Sequence, residues 1–298
     1  MEIYNETIIL EHSVIGLGFF DGVHFGHRKL IENVVDYSKK HSTKSVIVTL
    51  QTSPAEKFNQ AVRYLTSRSE RAKIIEGLGV DILVELDFNE KLMNMSHFEY
   101  LENVLVKNFR PKAIVTGFNH TFGKNKKGTS MFLKENQQKY NYEYIELPPQ
   151  KLDGDVVSST LIKNKLMSGD IKKANTFLHR NFKISGTVIE GNKIGRTIGF
   201  PTANIDYPFK MAEIPFGVYS TIVNVKNRIY KGVLNYGLKP SIKENVKKPI
   251  AEVHILDFND DIYGEEIEIS FIDRIRDEKQ FSSLDDLKSQ ILEDIKKC

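Results

Sequence analysis

For about its first 150 residues this 298-residue chain alternates strand-length apolar runs with segments of helical period, and after Arg180 the helical period stops until the last stretch. A chain that alternates in this way interleaves strands with crossover helices, which predicts a parallel, doubly wound sheet with helices on both faces. The apolar runs are 14–19, 45–50, 81–86, 113–116 and 142–147, and the helical patterns between them are 68–78, 97–108 and 131–140. Beyond Arg180 the runs 182–188, 218–225, 229–234, 251–256 and 266–271 are short, β-rich and punctuated by Gly, Pro and Asn. They predict antiparallel strands of a small barrel. A closing helix follows, with Leu284, Leu287, Ile291 and Ile295 on one stripe opposite Asp286, Ser289 and Glu293, and that stripe is expected to pack on the barrel. Because 157–178 also has a helical pattern, the boundary is expected near Asn181, giving modules of residues 1–181 and 182–298.

The first strand runs into Phe20-Asp21-Gly22-Val23-His24-Phe25-Gly26-His27, after which Leu30, Ile31, Val34 and Val35 follow helical spacing. Ligands of such sheets bind beyond the carboxyl ends of the strands. Backbone N–H groups at a helix start hold anions, with Gly22 and Gly26 permitting close approach, and His24 and His27 can donate to oxygens that gain charge in a transition state. An isolated H-x-x-H is most simply a pair of surface loop histidines; the strand, the helix, the acid and the two glycines are what point to phosphate chemistry.

Forty-two basic against 39 acidic side chains leave a formal net charge of +3, too balanced for a nucleic-acid footprint, and there is no Trp and no basic stripe interleaved with aromatics. No apolar stretch approaches bilayer length, and the acidic start Met1-Glu2-Ile3-Tyr4 is not a signal peptide. Cys298 is the single cysteine, which excludes an internal disulfide and a cysteine metal cluster. A cytoplasmic setting is expected, with small-molecule partners, no membrane or nucleic acid, and an oligomeric state that these features leave open.

A second segment carries chemistry: Gly191-Asn192-Lys193-Ile194-Gly195-Arg196, followed by Gly199-Phe200-Pro201-Thr202-Ala203-Asn204. The glycines with Arg196 suit a phosphate-cradling loop, and Thr202 and Asn204 offer oxygens that suit Mg²⁺; a Gly-rich turn between strands is the plain alternative.

These motifs, taken in order, resemble the bifunctional bacterial riboflavin kinase/FMN adenylyltransferase (FAD synthetase) family over nearly the whole chain. The 20–27 loop resembles its nucleotidyltransferase signature, Gly117-Phe118-Asn119-His120-Thr121-Phe122-Gly123 its second loop, and Val157-Ser158-Ser159-Thr160-Leu161-Ile162-Lys163 its I-S-S-T-x-I-R. In the second module Gly199-Phe200-Pro201-Thr202-Ala203-Asn204 matches G-F-P-T-A-N, Pro215-Phe216-Gly217-Val218-Tyr219 matches P-x-G-V-Y, and Glu252-Val253-His254-Ile255-Leu256-Asp257-Phe258 resembles E-V-H-L-L-D-F. Arg276-Asp277-Glu278-Lys279-Gln280-Phe281 matches R-x-E-x-x-F.

The resemblance implies a Rossmann-like nucleotidyltransferase domain followed by a riboflavin kinase barrel. Riboflavin and ATP would give FMN, and FMN and ATP would give FAD and pyrophosphate, with Mg²⁺ bridging phosphates. It implies Glu252 as general base of the kinase, with Thr202 and Asn204 on the metal and Gly191, Gly195, Arg196 and Thr202 on ATP. For adenylyl transfer it implies His24 and His27 on the triphosphate beside Gly22 and Gly26, with Ser159, Thr160 and Lys163 on the departing pyrophosphate. Asn119 would orient the FMN phosphate or the nucleotide, and Asn119, Phe200 and Arg276 would contact flavin.

Four segments depart from the family pattern. A T-F-x-P-H-P loop reads Thr49-Leu50-Gln51-Thr52-Ser53-Pro54, a closing arginine is Lys163, an aromatic position is His120, and N-I-G-x-R-P-T reads Asn235-Tyr236-Gly237-Leu238-Lys239-Pro240-Ser241. Lysine keeps the charge but loses the bidentate fork. Three functions stand at this point: the bifunctional enzyme; a flavokinase whose first module is weakly active, reversed or only ligand-binding; and a flavin-responsive regulatory binding protein.

Overall fold

The structure, a computed structural model, describes residues 1–298 except 59, 192, 193, 209 and 241–246. Lys193 of the Gly-flanked loop and Ser241 of the 235–241 motif therefore lie outside the described residues. Packing divides the chain into two compact units, Met1–Ser159 and Thr160–Cys298.

In the first unit the strands are β1 (Glu2–Tyr4), β2 (Ser13–Leu17), β3 (Lys44–Leu50), β4 (Ile82–Leu86), β5 (Pro111–Gly117) and β6 (Glu143–Leu147). They form one sheet in the order β1-β4-β3-β2-β5-β6, parallel throughout. Successive residues of a strand face opposite sides, so each strand feeds two cores. Ile15, Val46, Val48, Ile82, Val84 and Ile114 pack on one side with Leu101, Leu105, Phe109 and Leu133. Val14, Ile47, Leu83 and Val115 pack on the other with Leu30, Ile31 and Val34 of the helix Phe25–Lys40 and Ile75 of the helix Arg68–Gly77. The doubly wound expectation is met. The chain winds outward from β2 to β3 and β4 and then returns to β5, so strand order reverses between β2 and β5 and opens a crevice at their carboxyl ends.

Three features lay outside the sequence pattern. β1 is too short to show alternation, with Ile3 half exposed. A hairpin joins β7 (Lys151–Leu152) to β8 (Asp155–Val156) through Asp153 and Gly154 at φ 51° and 87°. The helical run from His97 to Phe109 widens to π-helical between Tyr100 and Val106.

The second unit holds β9 (Lys183–Thr187), β10 (Ala203–Asp206), β11 (Gly217–Val225), β12 (Arg228–Pro240), β13 (Lys247–Ile255) and β14 (Glu266–Arg276). Their order is β10-β13-β12-β11-β14-β9, all antiparallel. Irregular register at Val218/Tyr219 and Ser220/Thr221 bends the sheet, and an isolated bridge from Ile189 N–H to Asn204 O at 2.8 Å nearly closes it into a barrel. Buried Phe182, Tyr219 and Phe271 contribute to its core, Tyr219 meeting Phe271 edge to face. Contrary to the reading of the motif as a turn, β10 runs through Ala203 and Asn204, and a one-turn helix Ile194–Thr197 interrupts a region expected to lack helices.

The helical stretch expected over 157–178 is two helices, Ser159–Met167 and Ile171–Leu178, parted at Gly169 (φ 81°) and restarted by the Asp170 cap on Lys173 N–H. By packing, the second of these belongs with the barrel rather than with the sheet before it. Asn175 donates to Phe271 O at 2.9 Å and accepts from Phe182 N–H at 2.7 Å, so one side chain pairs two backbone groups of the barrel.

The closing helix Leu284–Ile295 forms as expected, but its stripe does not pack throughout: Leu284 is 57% exposed. Instead Asp294, 1% exposed, accepts both Nε and Nη2 of Arg276 at 2.8–3.1 Å. Breaking a buried ion pair from one side leaves an uncompensated charge and costs about 3–5 kcal/mol. The Asp294→Ala variant is expected to lose stability on that scale in denaturant unfolding, and wild-type stability in that variant would show that apolar contacts hold the helix.

Candidate active sites

The turn after β2 holds three consecutive constraints. Phe20 and Val23 are buried at φ 56° and 37°, and Gly22 lies between them at φ 81°. A buried non-glycine residue held in the left-handed region costs about 1–3 kcal/mol and persists only where its surroundings impose it. Asp21 Oδ1 accepts from Leu65 N–H at 2.8 Å, and Gly22 N–H donates to Thr66 Oγ1 at 3.1 Å. Gly22 serves the turn by its conformation, and its N–H is engaged by the Thr66 hydroxyl. At Gly26 an added Cβ would meet the His24 ring at 3.4 Å, an ordinary contact.

His24 caps the helix Phe25–Lys40, its Nδ1 accepting from His27 N–H at 3.4 Å. With Nδ1 as acceptor, the ring proton sits on Nε2. The two imidazoles stack at 3.7 Å between centroids, and His27 also meets the edge of Phe20. Burial holds His27 well below the usual histidine range, with the charges of His24 and Arg71 acting in the same direction. His27 Nδ1 is buried and finds no hydrogen-bond partner among the described residues. A neutral ring with an unmatched polar atom at a helix N-terminus suits a ligand rich in anionic oxygens.

Beside this loop lies a pair that sequence reasoning missed. Arg71 and Glu85, 4% and 3% exposed, form an ion pair at 3.0 Å, and Arg71 also donates to Phe19 O at 3.1 Å and Leu50 O at 2.7 Å. Arg68 Nε adds a second cation on Glu85 at 2.7 Å. The available signal was a carboxylate inside the apolar run Ile82-Leu83-Val84-Glu85-Leu86.

Across the switch point, the loop after β5 presents Asn119, which is exposed, and His120, whose ring stacks on Phe122. Gly123 is a required glycine, with φ 70° and space for a Cβ closed by the His97 backbone at 2.6 Å. The sheet thus brings the 20–27 loop and the 117–123 loop to the ends of neighbouring strands β2 and β5. Ser159 joins them, its hydroxyl donating to Asp21 O at 2.9 Å, and Thr160 and Lys163 follow on its helix.

In the barrel, antiparallel register places Glu252 of β13 directly opposite Asn204 of β10 and Asn235 of β12, with Asn204 buried and Glu252 half-buried. The motif preceding β10 is clamped from both ends. Phe200 N–H donates to Gly195 O at 2.7 Å, and His254 Nδ1 lies 2.8 Å from Pro201 O. Gly191 and Gly195 are required by close approach, since a Cβ would meet Asn204 Nδ2 at 2.5 Å and Phe200 O at 2.2 Å respectively. A cavity of about 360 Å³ opens alongside, lined among others by Arg196, Thr202, Phe258, Asp260 and Tyr263. Phe200, expected at flavin, is buried and packs edge to face on His254. Arg276, also expected there, has its guanidinium engaged by Asp294 and the Asp277 carbonyl. Among the described residues no group of three His, Cys, Asp or Glu side chains is arranged to hold a metal ion.

A family model for FAD synthetase matches residues 7–161, and one for riboflavin kinase matches 178–298. A protein from Buchnera aphidicola subsp. Schizaphis graminum named bifunctional riboflavin kinase/FMN adenylyltransferase is 36% identical, covering 98% of this chain and 95% of its own. The chain belongs to the bifunctional riboflavin kinase/FMN adenylyltransferase family. A second relative of that name, from Bacillus subtilis, is 32% identical over 95% of this chain and 90% of its own. A solved structure from Streptococcus pneumoniae, named a macrolide-efflux protein, superposes with a TM-score of 0.89 at 30% identity, covering 99% of this chain and 97% of that one. Among the described residues of this family member no helix is long and apolar enough to cross a membrane.

One departure from the family pattern has a measurable consequence. Burial holds the His120 imidazole down to about 4, against 6.5 for a free histidine. Between those values the unfolded chain binds a proton that the folded chain refuses, so stability falls as pH falls through that window. Replacing His120 with Phe is expected to reduce the stability lost between pH 7 and about pH 5, measured by denaturant unfolding at both. An equal acid loss in variant and wild type would show that His120 does not contribute.

Proposed function

We propose that the chain phosphorylates riboflavin with ATP to give FMN and then adenylylates FMN with a second ATP to give FAD and pyrophosphate. The observation that carries this reading is that the two family matches fall on separate stretches, each containing its own loop suited to phosphates. The catalytic modules are taken as residues 1–181 and 182–298, since the motif ending at Lys163 belongs by function with the first.

In the kinase, the Glu252 carboxylate accepts the proton of the ribityl 5′-hydroxyl as the hydroxyl oxygen attacks the γ-phosphorus, the bond to the β,γ-bridging oxygen breaks, and ADP leaves. Phosphoryl transfer asks for in-line placement and charge neutralisation more than for a strong base, which a half-buried carboxylate between two asparagines supplies. Arg196 and Thr202 line a cavity whose volume suits a nucleotide, and the ATP phosphates are placed there with Gly191 and Gly195 keeping the loop close. The hydroxyl of Thr202 and the amide oxygen of Asn204 are hard ligands of the kind Mg²⁺ takes, and the ion would neutralise phosphate charge. Phe200 and Arg276 act at the flavin side by holding the clamped motif and the closing helix in place.

In adenylyl transfer an FMN phosphate oxygen attacks the α-phosphorus of ATP, the bond to the bridging oxygen breaks, and pyrophosphate leaves without a covalent enzyme intermediate. His24 Nε2–H and His27 donate to the triphosphate, Gly26 leaves the helix N-terminus open to it, and Asn119 orients the FMN phosphate or the nucleotide. Ser159, Thr160 and Lys163 take the departing pyrophosphate. Placement in the cytoplasm fits a chain whose single cysteine needs no oxidising environment.

Incubating the protein with riboflavin, ATP and Mg²⁺ and separating the flavins by chromatography tests the reading. FMN together with FAD is the expected result; FMN alone would leave a flavokinase with a ligand-binding first module, and neither product would leave a flavin-binding regulator. Glu252→Ala is expected to stop FMN formation while added FMN is still adenylylated. His27→Ala should lower FAD formation by about 10²–10³, the loss typical of one charge-stabilising donor, with the kinase rate unchanged. Equal loss of both activities in either variant would show that the sites are not separate.

A further inference from the structure

We propose that Arg71 is the positioning residue of the adenylyl-transfer site, its guanidinium tying the loop after β2 to the end of β3 and to Glu85 of β4 and so fixing His24 and His27 in place. The inference rests on the reading of that site given above. The turn at 20–23 is held on one side by Asp21 on Leu65 N–H and by Thr66 on Gly22 N–H. On its other side Arg71 Nη1 donates to Phe19 O at 3.1 Å, one residue before the left-handed Phe20. The same guanidinium lies 4.9 Å from the centroid of the Phe19 ring, gripping both backbone and side chain of that residue.

Two of the acceptors of Arg71 are backbone carbonyls at strand ends, and Phe19 O is shared with the Thr49 hydroxyl, which donates to it at 3.1 Å. Carbonyl groups at the carboxyl ends of parallel strands have no ladder partner, and buried ones require another. Arg71 supplies Phe19 O and, at 2.7 Å, Leu50 O, while Glu85 Oε1 at 3.0 Å holds the guanidinium over β4. Neighbouring strand ends already paired through the parallel ladder are thereby joined to the loop after β2 by one side chain. The adjacent positive charge also works against protonation of His27 in the free site.

Removing Arg71 alone leaves the buried Glu85 carboxylate with only the part-exposed Arg68 and endangers folding. The informative variant is therefore Arg71→Met/Glu85→Leu, which removes both charges at similar volume, with thermal unfolding confirming a wild-type fold. Its kcat for FMN adenylylation is expected to fall about 100-fold, the scale of a misplaced catalytic group, with KM for ATP little changed and riboflavin phosphorylation at the wild-type rate. Arg71→Lys keeps the charge beside Glu85 but loses the planar fork and the stacking on Phe19, and is expected to recover only part of the rate. Hydrogen exchange gives a readout apart from activity: the Gly22 and His27 amides should lose protection in the double variant while the β2 and β3 amides keep theirs. A folded double variant with wild-type kcat, a loss confined to KM, or unchanged protection of those two amides would overturn the proposal. Wild-type protein that makes FMN but no FAD would instead sink the reading of the site itself, before any variant is compared.

Discussion

A buried ion pair at the carboxyl ends of the parallel strands is the constraint on which the geometry of the loop after β2 depends. Parallel strands end together on one edge of the sheet, and every carbonyl that leaves the ladder there must find a donor or reach water. Arg71 meets that demand for Phe19 O after β2 and Leu50 O of β3, while the Glu85 side chain on β4 holds the guanidinium. Two apolar side chains of the same volume would fill the space as well, and buried pairs of this kind contribute little net stability over such replacements. What apolar side chains lack is direction. A guanidinium donates along fixed lines in a plane, so the loops it joins are held at set heights rather than merely pressed together.

The strained turn follows from that anchorage. Phe20 and Val23 occupy a backbone region that L-residues avoid, and their buried side chains lock them there. The turn delivers His24 to the first position before a helix, where its ring caps the backbone and stacks on His27. The strain, the cap and the unmatched His27 nitrogen gather at the place where strand order reverses, which is where an open α/β sheet has room for a ligand.

The barrel reaches a comparable result by different means. Here register does the positioning: antiparallel pairing sets Asn204, Glu252 and Asn235 side by side on three neighbouring strands. One-residue slippage of any of these strands would send its own member of the row to the opposite face. The ends of the sheet are secured by side chains, Asn175 pairing two backbone groups and Asp294 engaging Arg276, and by the chain terminus, where Lys231 Nζ donates to Cys298 O at 2.8 Å. The two candidate sites thus stand on two kinds of scaffold, one on a helix start beside parallel strands and one on a cross-strand row.

Long apolar runs and ordered motifs are local, and they made much of this molecule legible: five of the six parallel strands, the helix after the histidine loop, the barrel, and the loops that carry the candidate site residues. Short or masked signals were not legible. β1 has three residues, β10 hides inside a motif whose glycines and proline read as a turn, and the closing helix shows a leucine stripe although Asp294 is its most buried residue. Arg71 and Glu85 stand 14 positions apart with nothing between them to announce a pair. Which segments become strands or helices, and which residue types wait at their ends, can be read along the chain, because periodicity and turn chemistry act over a few neighbours. Which of those ends meet, which glycines are needed for space and which charges are buried together emerge only on packing, because these depend on strand order and register between residues far apart in the chain.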